Sequence, residues 1–193
     1  MSRYAYCGHG NICQSSPRSE GSSIEQALTV AKGPVTDERA HAVRARYHQL
    51  FAGFEFPVPV AAIAEDLLGL SVAEVELEVS GMLLPATRQV FVNVTETESR
   101  RRFTLAHELG HWVCQCLEGK ASPVFCRPKD VSTAADRVLE REANVFAAEL
   151  LMPELAVRAA WDGDHAACAG RFGVSVEAMR WRLYSFGLGD PPQ

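Results

Sequence analysis

The sequence predicts an α+β fold, mostly helical, with a small antiparallel sheet beside one central helix. Three observations carry this. Apolar residues recur at helical spacing over residues 101–117 and again over residues 133–153. A period-two alternation occupies residues 74–94 between them. Proline and glycine divide the rest of the chain into short segments.

With 193 residues the chain is long enough for a real core and suits one domain, or one domain carrying an arm. Its 47% hydrophobic and 22% charged residues are those of an ordinary globular protein. A formal net charge of -5 speaks against a dedicated nucleic-acid binder, which needs a basic footprint to neutralise phosphates. No stretch approaches the roughly 20 apolar residues that span a bilayer. Residues 1–11 lack the apolar core of a secretory signal, so the expected compartment is the cytoplasm, with no membrane partner. In that reducing compartment Cys7, Cys13, Cys114, Cys116, Cys126 and Cys168, irregularly spaced, are expected as free thiols.

Residues 1–34 are rich in Ser, Gly and polar groups and read as a disordered arm, leaving the folded domain to residues 35–193. Within the arm, Cys7, His9 and Cys13 lack the four-ligand spacing of a structural metal site, and plain disorder is the preferred reading. A helix is expected from Thr36 and Asp37 to about Ala52, with Ala40, Val43, Tyr47, Leu50 and Phe51 on its apolar side. After the Pro57-Val58-Pro59 break a second runs from Val60 to Leu68, closed by Gly69.

Val75, Leu77 and Val79 alternate with Glu74, Glu76 and Glu78, as in a half-buried strand with a solvated acidic face. Residues 81–84 and 89–94 read as further strands joined through Pro85-Ala86-Thr87-Arg88. Residues 90–94 suit either an edge strand that receives an extended peptide or an ordinary core strand. Arg100, Arg101 and Arg102 precede the central helix, where positive charge opposes the helix dipole, so they are expected to reach solvent or acidic partners.

After a loop over residues 118–129, Ser132 can cap a long helix that Pro153 ends. Its apolar side holds Ala135, Val138, Leu139, Ala143, Phe146 and Ala147. Residues 156–188 read as short helices ending at Gly173 and Gly187. The helix, turn and helix rhythm there suggests DNA reading, but Val174, Val176, Met179, Leu183 and Phe186 look like packing positions. With the acidic balance, no direct nucleic-acid contact is expected. Arg182 and Tyr184 are candidates for stabilising an oxyanion.

The central helix carries His107-Glu108-Leu109-Gly110-His111. Positions four apart share a helix face, so both imidazoles can converge on one metal ion, with Glu108 beside them to take a proton from a metal-acidified water. Phe103, Leu105, Ala106, Leu109, Val113 and Leu117 supply the apolar positions, and Thr104 suits an early turn or cap. A catalytic zinc takes a third protein ligand. A third His six residues after the second is excluded, because Leu117 stands there. Cys114 and Glu118 continue the His face, yet one straight helix does not easily wrap three ligands around a tetrahedral ion. The later helix is the better source, with Glu140 as ligand and Asn144, one turn on, able to hydrogen-bond a ligand His. Glu142 is the rival, and residues two apart diverge by roughly 200° around a helix, so only one of the two faces the ion.

The pairing of FTLAHELGHWV with LEREANVFAAELLMP resembles the ImmA/IrrE group of metallopeptidases. The similarity runs from PVPVAAIAEDLLGL to FGVSVEAMRWRLYSFGL, about the last three quarters of the chain. It implies a gluzincin-like peptidase in which His107, His111 and Glu140 hold Zn2+, with Glu108 as general base and later proton donor. Manganese or iron also suits two His and one carboxylate. Family members with known targets cut helix-turn-helix repressors of mobile-element or DNA-damage genes, so the implied partner is such a repressor and the implied setting a transcriptional or stress switch. The alternative is a non-catalytic module that sequesters a repressor or other protein.

Overall fold

The computed structural model describes residues 37–51, 56–117 and 134–190. The expected arm with Cys7, His9 and Cys13, the loop over residues 118–129 and the Ser132 cap lie outside the described residues. Helix α1 (Asp37–Leu50) buries Ala40, Val43 and Tyr47 as its spacing predicts, while Leu50 and Phe51 stay exposed. Helical turn α2 (Val60–Ala62) runs on as a π-turn over Ile63–Leu67 and stops at Gly69, whose positive φ of 65° suits a residue without Cβ.

Three strands follow: β1 (Ser71–Val75), β2 (Gly81–Leu84) and β3 (Gln89–Asn93), in the spatial order β1-β3-β2. β2 and β3 form the expected antiparallel pair, Gly81 opposite Val92 and Leu84 opposite Gln89, around a 3-10 turn at Pro85–Thr87. β1 joins the other edge of β3 in parallel, Ser71 opposite Gln89 and Val75 opposite Asn93, so the sheet is mixed rather than wholly antiparallel. Two expectations change with this topology. Residues 90–93 are the centre of the sheet with both edges paired, so they cannot receive a peptide by strand addition. The acidic alternation ends as a strand at Val75, because β3 stops at Asn93 and offers no further ladder. The Asn93 amide substitutes, accepting from Leu77 N at 3.4 Å and donating to Leu77 O at 2.9 Å.

Leu83 and Val90 are cross-strand partners, as are Gly81 and Val92, and all four are buried. Helix α3 (Glu98–His111) packs against β2 and β3, burying Leu105, Ala106 and Leu109 in the same core. It begins earlier than its spacing suggested. Thr104 is therefore a buried mid-helix residue rather than a cap, and the three arginines lie inside the first turns. Arg101 donates to the Glu96 carbonyl at 3.1 Å and pairs with Glu74 at 3.5 Å. Arg102 is half-buried rather than fully solvated, with the Glu98 charge nearby. It donates to the carbonyls of Gly173 at 3.1 Å and Val58 at 2.8 Å, tying α3 to two distant segments.

α3 continues as a π-turn over Trp112–Cys116, closed by Leu117 N donating to Trp112 O at 3.1 Å. Helix α4 (Ala134–Leu151) lies across α3 and inserts Ala143, Phe146, Ala147 and Leu150 into the core. Val138, expected on that apolar side, is exposed. Short helices α5 (Glu154–Ala160), α6 (His165–Phe172) and α7 (Val176–Ser185) complete the described chain. Asp164 caps α6 and Ser175 caps α7, and Phe172, Met179 and Leu183 hold the pair to the core. No helix of the described residues is long and apolar enough to cross a membrane.

Candidate metal centre

Two helices build the site, and their closeness depends on one residue. A Cβ at Gly110 would lie 2.8 Å from Ala143 Cα and 2.9 Å from Ala143 O, so only glycine admits this crossing of α3 and α4. The crossing brings Glu140, three residues before Ala143, over the face that carries His107 and His111. Glu140 Oε2 lies 3.2 Å from His107 Nε2, and its Oε1 lies 3.2 Å from His111 Nε2. The two Nε2 atoms are 3.0 Å apart, with the rings nearly perpendicular at 88°. Glu142 does not belong to this group.

The groups around the rings indicate which nitrogens face inward. His111 Nδ1 lies 3.0 Å from Gln115 Oε1, and Gln115 Nε2 donates to the Leu139 carbonyl at 3.1 Å. A carbonyl only accepts, so the amide nitrogen belongs there and the amide oxygen accepts Nδ1–H from His111. Asn144 Oδ1 lies 3.1 Å from His107 Nδ1 and accepts in the same way. Both Nε2 lone pairs are thereby turned toward Glu140. Two lone pairs and a carboxylate brought together repel one another unless a metal ion or a proton lies among them. Ligands held 2.0–2.1 Å from a tetrahedral zinc are roughly 3.3 Å apart, close to the spacings observed. The donor set therefore fits a divalent metal.

The same contacts shift the ionisation of the metal-free protein. Hydrogen bonds from His107 and then His111 hold the Glu140 carboxyl well below the usual carboxylate range, against the opposing effect of burial. Burial pushes the His111 imidazole down, but the Glu140 hydrogen bond and the Glu108 charge outweigh it, and the net direction is up. Glu108 is completely buried on α3. Its carboxylate lies over the start of β2, where a Cβ at Gly81 would stand 3.2 Å from Glu108 Oε1 and 2.4 Å from Thr104 Cγ2.

Gln115 escaped the sequence reading. The available signal was its place four residues after His111, the same spacing that links the two histidines. Cys114 is buried outside the cluster, and Glu118 lies outside the described residues. The oxyanion role considered for Arg182 does not survive. Its guanidinium donates to Met152 O at 3.0 Å and pairs with Glu149, at the far end of α4 from Glu140. Tyr184 packs against Trp181, with ring centres 6.2 Å apart.

The family model of the IrrE N-terminal-like domain, peptidase family M78, matches residues 65–184. The chain belongs to this family. The match covers α3, α4 and all the residues of the cluster, so this IrrE-like chain carries a metallopeptidase-like domain. A solved structure described as a Mycobacterium tuberculosis transcriptional regulator is similar with a TM-score of 0.54 at 21% identity. The alignment covers 83% of this chain and 51% of that one, and such a likeness speaks to the fold alone. The IrrE-like chain spans about half the length of that regulator. The comparison with curated proteins gives no match.

Proposed function

We propose that this domain is a zinc-dependent endopeptidase whose substrate is a cytoplasmic helix-turn-helix repressor. The observation that carries the reading is the convergence of His107, His111 and Glu140 from two helices, with Glu108 buried on the helix that bears both histidines. His107 Nε2, His111 Nε2 and the Glu140 carboxylate would hold the ion. When bound, the metal supplies Lewis acidity, lowering the pKa of a water to about 7 and polarising the scissile carbonyl. Glu108 takes the proton from the attacking water on a carboxylate oxygen and returns it to the leaving amine nitrogen, so its protonation state is restored at the end of the cycle. Asn144 and Gln115 keep the imidazoles oriented throughout. The resemblance to ImmA/IrrE peptidases supports a repressor as substrate.

The test uses the zinc-loaded full chain and purified candidate helix-turn-helix repressors, with products read by intact-mass spectrometry. Cleavage at one bond, lost on chelation and in Glu108→Gln, is the expected result. Association that survives Glu108→Gln with no cleavage by wild type overturns the peptidase reading in favour of sequestration.

A further inference from the structure

We infer that Gln115 is a positioning residue of the metal centre, fixing which nitrogen of His111 faces Glu140 and tying that ring to the backbone of α4. The inference rests on the metal-site reading and extends it to a residue outside the ligand set. Gln115 is 1% exposed, and its amide oxygen and nitrogen are used by two different helices: Oε1 by His111 of α3 and Nε2 by the Leu139 carbonyl of α4. A buried amide without partners is costly, so the side chain is held in one orientation by both bonds together. Leu139 directly precedes Glu140. One side chain thus registers a ligand on α3 against the peptide that carries the ligand on α4. The π-turn at Trp112–Cys116 is the local backbone from which Gln115 makes this bridge.

The roles separate by substitution. Gln115→Met keeps the length and loses both bonds. Gln115→Glu keeps an oxygen for His111 Nδ1–H but, when ionised, has no donor for the Leu139 carbonyl. Gln115→Asn is one methylene shorter and cannot span both partners. Two readouts on the full chain are needed: Zn2+ dissociation constants by chelator competition, and the ring 15N shifts of His111 in the metal-free protein at one fixed pH.

Gln115→Met is expected to bind Zn2+ roughly 10–100-fold more weakly, with His111 losing its Nδ1–H preference. Gln115→Glu is expected to keep His111 in its Nδ1–H form but to bind Zn2+ more weakly than wild type, because the tie to the Leu139 carbonyl is lost. Should Gln115→Met fail to fold, Gln115→Asn is expected to show the same two losses. Wild-type affinity together with wild-type ring shifts in the folded Met or Asn variant overturns the inference, as does a Glu variant in which His111 loses its Nδ1–H preference. A wild-type chain that binds no Zn2+ overturns instead the metal reading beneath it, while the ring shifts still report on Gln115.

Discussion

Gly110 and Ala143 meet where α3 crosses α4, so closely that a methyl group on Gly110 would sit 2.8 Å from the Ala143 Cα. Both neighbours at that point are backbone, which cannot swing aside as a long side chain can. Gly110→Ala should therefore push the helices apart and cost about 1–3 kcal/mol of stability. The displacement should also weaken metal binding, because Glu140 travels with α4. Urea unfolding and chelator competition on the same variant check both effects; an unchanged midpoint and affinity would refute the crossing described above.

Metal content separates the two carboxylates of α4. Glu140 touches both imidazoles and Glu142 does not belong to the cluster. Elemental analysis should find about one zinc per chain in wild type and in Glu142→Ala. His107→Ala, His111→Ala and Glu140→Ala should each lose it. Loss in Glu142→Ala with retention in Glu140→Ala would reverse the assignment.

The stability of the metal-free chain should depend on pH in a predictable way. Glu140 has a lowered pKa when folded, so its contribution is present above the ordinary value of 4.5 and is lost as pH falls toward the lowered one. His111 has a raised pKa, so its contribution is present below the ordinary value of 6.5 and is lost as pH rises through the raised one. The cluster stabilises the metal-free chain most between pH 4.5 and 6.5. Zinc binding should move the optimum upward, since the metal requires unprotonated imidazoles. Thermal melts with and without zinc across pH 4 to 9 would show the shift.

Arg182 should matter to stability and not to the chemistry. It is half-buried and pairs with the buried Glu149, donates to Met152 O and lies over the Phe186 ring at 4.3 Å, fastening α7 to the end of α4. Breaking a buried pair by removing one partner costs about 3–5 kcal/mol, so Arg182→Ala should unfold at markedly lower urea. At temperatures where it remains folded, its zinc affinity should match wild type. A variant that keeps its stability but loses zinc would contradict the placement of Arg182.

Much of this architecture is local and was readable before folding. The His107 and His111 spacing, the ends at Gly69 and Gly173, and the strands at residues 81–84 and 89–93 depend on neighbours a few residues away. The Asn144 contact with His107 was foreseen because Asn144 lies one helical turn after Glu140. The parallel pairing of β1 was not readable, since alternation sets which face a residue takes and is silent on which edge the strand joins. For the same reason residues 90–93 were not identifiable as the middle of the sheet.

The sequence by itself determined that two imidazoles share one helix face, and that a later helix offers acidic residues to complete a metal set. Periodicity is enough for that, because both facts concern angles around a single helix axis. Only the tertiary structure decided where Glu140 comes to rest, how Gln115 bridges His111 to Leu139, and why Gly81 and Gly110 carry no side chain. Those outcomes depend on how closely α3 approaches α4 and the sheet, a distance set by steric exclusion between segments remote in sequence.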